Sequence, residues 1–155
     1  MFLLVAAVSV IFPNRYKAET ECAASVYGVR EELIRGIIWT ESKYHSDAVS
    51  RAGAVGLMQL MPDTAQWLAA MQDLPYKAGD LFDPAYNIRL GTYYIGYLLE
   101  KFEDEKLALA AYNAGEGTVR RWLNEGKTEP VYQETRDYVD RVLFCQKMYK
   151  IRLFS

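Results

Sequence analysis

The sequence predicts an all-α domain, and three observations lead to that prediction. Apolar residues after residue 15 recur with the period of a helix, about 3.6 residues. No stretch alternates apolar and polar residues as a half-buried strand does. Glycines and prolines separate the periodic stretches, as is typical of helix ends. The 155 residues are enough for one domain that folds without a metal or a disulfide.

Seven helical stretches follow one another along the chain. Gly28, Gly115 and Gly126 end three of them, because glycine readily adopts the left-handed conformation after a helix. Pro62 and Pro84 suit the first turns of two others, where a proline needs no backbone N–H. The predicted helices are 16–27, 31–42, 62–71, 83–102, 103–114, 117–124 and 135–152.

Residues 43–57 form a long irregular segment between the second and third helices. They lose all periodicity and contain Gly53 and Gly56, and a second loop covers residues 72–82. Structureless loops of this length are uncommon in compact domains and frequently carry function. The segment 43–57 is therefore the first place to look for a functional site.

Aromatic residues are the one compositional oddity: 12 tyrosines, 6 phenylalanines and 3 tryptophans make up 14% of the chain. Such rings either fill a core or line a groove for carbohydrate, because a sugar presents both C–H faces and hydroxyl groups. Composition does not choose between these alternatives. Trp39 and Trp67 are expected in the core.

Charge and cysteine content argue against two classes of function. The formal net charge of −2 provides no excess of positive charge to neutralise phosphates, so no nucleic-acid partner is expected. A single histidine, His45, and two cysteines without a CxxC spacing do not suit a zinc site. Cys22 and Cys145 are expected as buried thiols on helices. Export would permit a disulfide between them, since they lie on the first and last helices.

Residues 2–12 form an apolar run that Ser9 alone interrupts. As a helix the run would span about 16 Å, roughly half of a ~30 Å hydrocarbon core, so it is too short to cross a membrane by itself. Its length fits the apolar centre of an export signal or part of an anchor. Basic residues follow the run and none precedes it; one account is that Met1 is not the natural start. A buried N-terminal helix is the alternative.

Elimination leaves carboxylate chemistry as the available mechanism. The sequence has no GxSxG elbow, no G-x-x-x-x-G-K-[ST] phosphate loop and no GxGxxG motif. Glu41 ends the apolar helix 31–42 and opens the long irregular segment. Apolar neighbours and the negative end of a helix dipole both raise the pKa of a carboxyl, as a general acid requires. On the helix alone, a solvated glutamate is the simpler interpretation.

Five short strings stand out in the chain: ES at 41–42, SRAGAVG at 50–56, GLMQLMP at 56–62, AYNAG at 111–115 and ETRDYV at 134–139. Together they closely resemble the soluble-lytic-transglycosylase (SLT) family of peptidoglycan-cleaving enzymes. They stand in the family's order and at its spacings, and the resemblance covers roughly residues 17–152. Leu60, where isoleucine is usual, and Glu116, where proline is common, are small departures.

The resemblance implies a lysozyme-like, all-α single domain of about six to seven helices around a substrate groove. It implies cleavage of the β-1,4 bond between N-acetylmuramic acid and N-acetylglucosamine, with a 1,6-anhydro ring on the muramyl product. Glu41 matches the single acid/base, and Tyr112 matches a tyrosine whose hydroxyl points toward that acid. The positions that match substrate-binding residues are Ser50, Gln59, Met61, Tyr112, Asn113, Glu134 and Tyr138.

The resemblance also implies a place in the extracytoplasmic cell envelope, with peptidoglycan glycan strands as the partner and with no cofactor or metal. Residues 1–15 then form a signal- or anchor-like segment, and residues 16–155 form the catalytic domain. Nothing in the sequence demands more than a monomer.

One carboxyl is enough for this reaction if the substrate supplies its own nucleophile. Hydrolysing glycosidases use two carboxyls, about 5–5.5 Å or about 6.5–9.5 Å apart, and the segment after Glu41 offers only Asp47 as a partner. The 2-acetamido oxygen of the sugar can instead attack the anomeric carbon, which is the substrate-assisted exception. The alternatives are a muramidase that uses a second carboxylate and a peptidoglycan-binding module without turnover.

Overall fold

The computed structural model describes residues 10–153, and seven α-helices begin and end within that range. The same residues contain no β-sheet, only isolated bridges that pair Val55 with Val49 and with Leu60. The all-α prediction is confirmed. The helices are α1 (Lys17–Tyr27), α2 (Glu31–Ser42), α3 (Pro62–Met71), α4 (Pro84–Phe102), α5 (Glu105–Ala114), α6 (Glu116–Asn124) and α7 (Gln133–Leu153).

Local capping signals set most helix ends close to their predicted positions. Gly28 ends α1 in the left-handed conformation, with φ 65°. The Asp83 carboxylate accepts a hydrogen bond from the Tyr86 N–H and so caps α4, whose first residue is Pro84. The long irregular segment predicted after α2 is present and contains no helix.

α6 begins at Glu116 instead of residue 117 and α7 at Gln133 instead of residue 135. Two further departures from the predicted elements lie in turns. α5 begins at Glu105 instead of residue 103, because Glu103 is left-handed with φ 52° and the Asp104 side chain caps the helix. The loop predicted over residues 72–82 contains a short 3-10 helix, Ala78–Phe82. Both of these departures lie in turns between helices. Apolar periodicity does not predict the conformation of a turn, because it reports only which face of a helix is buried.

α2 and α7 form a close helix pair. Gly36 of α2 faces the α7 backbone, and a Cβ atom at this position would lie 3.0 Å from the Gln146 nitrogen and 3.1 Å from the Val142 oxygen. A side chain at residue 36 would therefore push the two helices apart. The apolar set that the sequence predicts on α2 is buried and consists of Leu33, Ile34, Ile37 and Ile38.

The core consists of two apolar clusters. The larger one joins α2, α4, α5 and α7 and includes Met58 of the irregular segment. The smaller one lies between α3, the 3-10 helix and α4. Tyr94 of α4 and Tyr112 of α5 pack against both clusters. These two rings therefore connect the part of the domain that contains α2 to the part that contains α3.

The chain just before α1 is held against α2 and α7. Phe12 is 6% exposed, and the centroid of its ring lies 5.4 Å from that of Tyr149. The Tyr149 hydroxyl donates a hydrogen bond to the Pro13 carbonyl at 3.2 Å. The buried Arg35 guanidinium donates to the Arg15 carbonyl at 3.2 Å. Packing thus begins upstream of the predicted start of the catalytic domain.

The predicted signal- or anchor-like segment, 1–15, is only partly visible in the structure. Residues 1–9 lie outside the described residues, so its division from the following domain stays a prediction. No helix within residues 10–153 is long and apolar enough to cross a membrane.

Two predictions about individual side chains are wrong. Cys22 is exposed, whereas Cys145 is buried as expected, and both thiols are free. The helices that carry them do not pack together: α1 packs on α2 and α4, whereas Cys145 of α7 contacts Thr40 of α2. Trp67 is 42% exposed instead of lying in the core, and Trp39 packs on the core but is only partly buried.

Candidate active site

Glu41 lies in the last turn of α2, where the chain enters the irregular segment. Lys43 and Tyr44 follow it with φ 51° and 65°, in the left-handed region that residues other than glycine rarely adopt. The Tyr44 side chain is buried and stacks on Tyr16 with ring centroids 6.3 Å apart. This packing holds the backbone in a conformation that costs about 1–3 kcal/mol per residue. Such strain is often found at functional sites.

The Glu41 carboxyl is the candidate acid of this site. The residue is half-buried, and desolvation of its carboxyl raises the pKa from 4.5 to about 7. The Tyr138 hydroxyl and the positive charge of Arg141 lower the pKa, because both favour the ionised form, but desolvation outweighs them. The direction agrees with the one expected from the apolar neighbours of Glu41. A carboxyl with this pKa can both donate a proton and take one back near neutral pH.

Two tyrosines, the buried Tyr138 and the half-buried Tyr112, lie close to Glu41. Desolvation and the negative charge of Glu41 raise the pKa of both phenols well above 10, so both hydroxyls stay protonated. The Tyr112 hydroxyl donates to the Met58 carbonyl at 2.8 Å and is also close enough to Glu41 to sense its charge. The Tyr138 hydroxyl is the one beside Glu41, and it makes no hydrogen bond of normal geometry within residues 10–153.

The Ser42 hydroxyl ties the end of α2 to the loop that carries the GLMQ string. This buried side chain donates to the Leu57 carbonyl at 2.8 Å and also lies 3.2 Å from the Ile38 carbonyl. The His45 ring contacts the Ser42 carbonyl through Nδ1 at 2.8 Å. These contacts limit movement of the backbone next to Glu41.

Asn87 of α4 clamps the same loop from the other side. Its fully buried amide accepts from the Met58 N–H at 2.8 Å and donates to the Val55 and Leu81 carbonyls at 3.0 and 2.9 Å. These three hydrogen bonds satisfy backbone groups that burial would otherwise leave unpaired. Gly56, with φ 80°, makes room for the amide, because a Cβ atom there would overlap with it.

Ser50 and Gln59 are positioned by hydrogen bonds within the irregular segment. The Ser50 Oγ accepts from the Ala54 N–H at 2.9 Å and donates to none of the described residues. Gln59 is left-handed with φ 49°, and its Nε2 donates to the Gly56 and Ala48 carbonyls at 2.9 and 3.2 Å. Within the described chain the Gln59 Oε1 has no partner. One donor and one acceptor are therefore unused on this loop.

The remaining predicted site residues lie at the surface. Met61 is 42% exposed directly before α3. Asn113 is exposed near the end of α5, and Glu134 is exposed in the first turn of α7. No hydrogen bond or ion pair among the described residues links these three side chains to Glu41. Their part in the site stays a prediction.

The candidate site is recognised by the chemistry of its side chains, because it does not coincide with the cavity between α1 and α4. A cavity of about 480 Å³ lies between α1 and α4, and none of the predicted site residues lines it. In the part of the chain that the structure describes, no three His, Cys, Asp or Glu side chains cluster so as to hold a metal ion. The candidate site is one carboxyl of raised pKa, two phenols and a loop that presents unused polar atoms.

Comparison with known families decides the family of the domain. The family model of the transglycosylase SLT domain matches residues 20–134. The chain belongs to this family. This SLT domain is 35% identical over 151 residues to the soluble lytic murein transglycosylase of Escherichia coli K12, and the match covers 90% of this chain and 23% of that protein.

Two further comparisons agree. The SLT domain is 37% identical over 134 residues to membrane-bound lytic murein transglycosylase C of Haemophilus influenzae, covering 77% of this chain and 37% of the relative. It matches an inactive glutamate-to-glutamine mutant of lytic transglycosylase Slt from Pseudomonas aeruginosa with a TM-score of 0.86 and 36% identity. That match covers 94% of this chain and 25% of the other. The lysozyme-like, all-α prediction is confirmed, and the chain spans well under half of each relative.

Sequence analysis assigns no role to Ser42 or Asn87 of the SLT domain. Both side chains bind backbone groups of a loop, so no catalytic pattern reveals what they do. The signal for Asn87 is a polar residue between Tyr86 and Ile88 in the first turn of α4, where Asp83 already provides the cap. A buried asparagine in such a place has to pair with backbone or side-chain groups of another segment.

Glu41→Gln should stabilise the SLT domain at high pH. Below about pH 4.5 the wild-type carboxyl is protonated in both the folded and the unfolded state. As the pH rises toward 7, the unfolded chain loses this proton first, so the free energy of unfolding falls. Glutamine has no such proton. The free energy of unfolding of the variant, relative to that of the wild type, should therefore rise by about 2 kcal/mol between pH 5 and pH 8. Urea unfolding at the two pH values measures this gain.

The exposed Glu134 provides the matched control for that measurement. Glu134→Gln should change the free energy of unfolding by less than about 0.5 kcal/mol at either pH, as is usual for a surface substitution. If the difference between Glu41→Gln and the wild type is the same at pH 5 and pH 8, the pKa of Glu41 is not raised by folding.

Proposed function

We propose that this SLT domain is a peptidoglycan lytic transglycosylase. It cleaves the β-1,4 bond between N-acetylmuramic acid and N-acetylglucosamine and leaves a 1,6-anhydro ring on the muramyl product. The observation that carries the proposal is the Glu41 carboxyl, whose pKa is about 7 and which has no carboxyl among the neighbours that shift it. The two relatives named as lytic murein transglycosylases support the same reaction class.

The first step uses the protonated form of Glu41. The carboxyl donates its proton to the glycosidic oxygen, and the bond between this oxygen and the muramyl C1 breaks. The oxygen of the muramyl 2-acetamido group attacks C1 and closes an oxazolinium ring. The substrate thus supplies the nucleophile that a second carboxylate supplies in a retaining hydrolase.

The second step uses the ionised form of Glu41. The carboxylate takes the proton of the muramyl 6-hydroxyl, O6 forms a bond to C1, and the acetamido oxygen leaves C1. Glu41 is protonated again at the end, no water is consumed, and the reaction gains from being intramolecular. The Tyr138 hydroxyl and Arg141 favour the carboxylate that exists between the two steps, because both lower the pKa of Glu41.

The loop residues hold the sugars for this transfer. Ser50 provides a donor and Gln59 an acceptor for polar groups of the substrate, since each has an unused atom. Tyr112 acts through the Met58 carbonyl and so positions the loop. The exposed residues that extend the groove are Met61, Asn113 and Glu134.

Digestion of purified peptidoglycan should produce 1,6-anhydromuramyl ends. A hydrolase would add one water to each new end, and in ¹⁸O-labelled water that end would carry the isotope. Mass spectrometry of a digest in labelled water distinguishes the two products. Glu41→Gln should lower turnover by about 10²–10⁴-fold, the usual contribution of a positioned acid/base, while glycan binding persists.

Two outcomes of this digestion contradict the proposed reaction. Labelled reducing ends would identify a muramidase, in which the exposed Asp47 is the next carboxyl to test. Binding of peptidoglycan by the wild type without any product would identify a binding module. Activity of Glu41→Gln within a few-fold of the wild type would place the acid elsewhere.

Tyr138→Phe should move the alkaline limb of the pH–rate profile to higher pH. The first step needs protonated Glu41, so the wild-type rate falls as the pH rises above about 7. The Tyr138 hydroxyl lowers the pKa of Glu41, and its removal raises that pKa. The substitution removes a hydroxyl that makes no hydrogen bond of normal geometry within residues 10–153, so it should cost little folding stability.

Tyr76 is the matched control for this profile, since its hydroxyl is also buried without a hydrogen bond. Tyr76→Phe should leave the alkaline limb where it is in the wild type. A Tyr138→Phe profile that keeps the wild-type limb would contradict the assigned contact between Tyr138 and Glu41.

We also propose that the domain acts as a monomer outside the cytoplasmic membrane. Its substrate, peptidoglycan, lies there, and residues 2–12 have the composition of an export or anchoring segment. All groups that the mechanism uses belong to one chain, so a second copy is not required. The family includes relatives named soluble and membrane-bound, and either arrangement satisfies the proposal.

Cell fractionation of the full chain should place it in the periplasmic or membrane fraction. Leu4→Arg puts a charge into the apolar run and should reduce export, because a charge in an apolar segment hinders insertion. Val26→Arg, at a position that is 65% exposed in the folded domain, is the control and should not change the distribution. Recovery of the unaltered chain in the cytoplasmic fraction would contradict this location.

A further inference from the structure

Trp67 is an exposed aromatic residue that the mechanism does not use. Its indole is 42% exposed on α3, although two tyrosine rings of α4 pack against it. The ring centroids lie 5.5 Å apart for Tyr97 and 6.3 Å apart for Tyr94. Both pairs are nearly perpendicular, which is one of the arrangements that aromatic rings favour. The indole is therefore held in a defined place at the surface.

A continuous series of rings joins Trp67 to the catalytic cluster. The Tyr94 ring lies 5.2 Å from the Tyr112 ring. Tyr112 in turn is close enough to Glu41 for the charge of the carboxylate to act on its hydroxyl. Two ring-to-ring steps thus separate Trp67 from a residue of the site. A long ligand that occupies the site and extends toward α3 reaches the exposed indole.

Exposure alone does not distinguish Trp67, because single exposed apolar side chains are common on soluble proteins. Met71, on the same helix, is 43% exposed. Trp67 differs from Met71 in two respects: two rings fix its orientation, and the contacts of those rings lead to Glu41.

We propose that Trp67 is a stacking platform for a pyranose ring of the glycan strand, away from the bond that is cleaved. The proposal rests on the proposed function, because it takes the glycan as the ligand. The C–H face of a pyranose is apolar and its rim is polar, so stacking on an indole removes apolar surface from water and leaves the hydroxyls solvated. An indole that is already held in place loses little conformational freedom when it binds.

Calorimetric titration of the full-length Glu41→Gln protein with chitohexaose and N-acetylglucosamine tests the platform. The Glu41→Gln background prevents turnover, so affinity is measured directly. Trp67→Ala in this background should weaken chitohexaose binding by about fivefold, which corresponds to about 1 kcal/mol. A single N-acetylglucosamine ring in the site does not span the two ring-to-ring steps to Trp67, and its affinity should not change. Trp67→Phe keeps an aromatic face and should keep most of the affinity for chitohexaose.

Met71→Ala is the matched control and should bind both sugars like the Glu41→Gln parent. Three results would overturn the platform, and two of them concern Trp67→Ala. Either Trp67→Ala binds chitohexaose as tightly as the parent, or it loses affinity for both sugars equally, which would indicate distortion of the site. Absence of chitohexaose binding by the parent itself would also overturn it.

The failure of this proposal is distinguishable from the failure of the proposed function. The titration measures binding of a strand without chemistry, whereas the digestion in labelled water measures the product. Labelled reducing ends would overturn the transglycosylase reaction and leave a length-dependent effect of Trp67 standing. An unchanged affinity of Trp67→Ala would overturn the platform and leave anhydromuramyl ends as evidence for the reaction.

Discussion

Desolvation of the Glu41 carboxyl depends on how closely α2 and α7 approach each other. Gly36 allows that approach, and the helix it faces carries Tyr138 and Arg141, the two groups that act on the carboxyl. A wider interface would admit water and return the pKa toward 4.5, where the group is ionised at neutral pH and is a poor acid. The same burial lowers the stability of the folded domain above pH 4.5. The proposed role as an acid and the stability of the fold therefore make opposite demands on this carboxyl.

A buried irregular loop beside such a carboxyl needs hydrogen-bond partners for its backbone N–H and C=O groups, because it lacks the regular backbone hydrogen bonds of a helix or a sheet. Ser42, Asn87 and Tyr112 provide them, from α2, α4 and α5 respectively. Each of these side chains binds a carbonyl or N–H of residues 55–58, so three helices determine where the loop lies. The side chains that the proposed mechanism assigns to the substrate, Ser50 and Gln59, are then carried by a loop whose position is set by a rigid scaffold.

The abundance of tyrosine has one structural explanation that serves both the core and the surface. Tyr94 and Tyr112 pack against both apolar clusters, and the contacts continue to the exposed Trp67. From composition alone, the aromatic residues either fill the core or line a groove. In the structure these rings form a continuous set that begins in the core and ends at the surface. A ring that is partly buried has a fixed orientation, and this makes its exposed neighbour a better defined contact surface.

The sequence by itself determined the helices and the family, and it singled out Glu41, whose carboxyl has a raised pKa in the structure. Apolar periodicity, caps and glycine ends act within a few residues, so α2 and α3 have their predicted bounds. The pKa of Glu41 shifts in the direction that its sequence neighbours indicate. Tertiary structure decided the exposure of Cys22 and Trp67, the clamp formed by Asn87 and the partner of Tyr112. The Tyr112 hydroxyl binds a carbonyl 54 residues away, and no local pattern specifies such a pairing, because burial and hydrogen-bond partners depend on which distant segments meet.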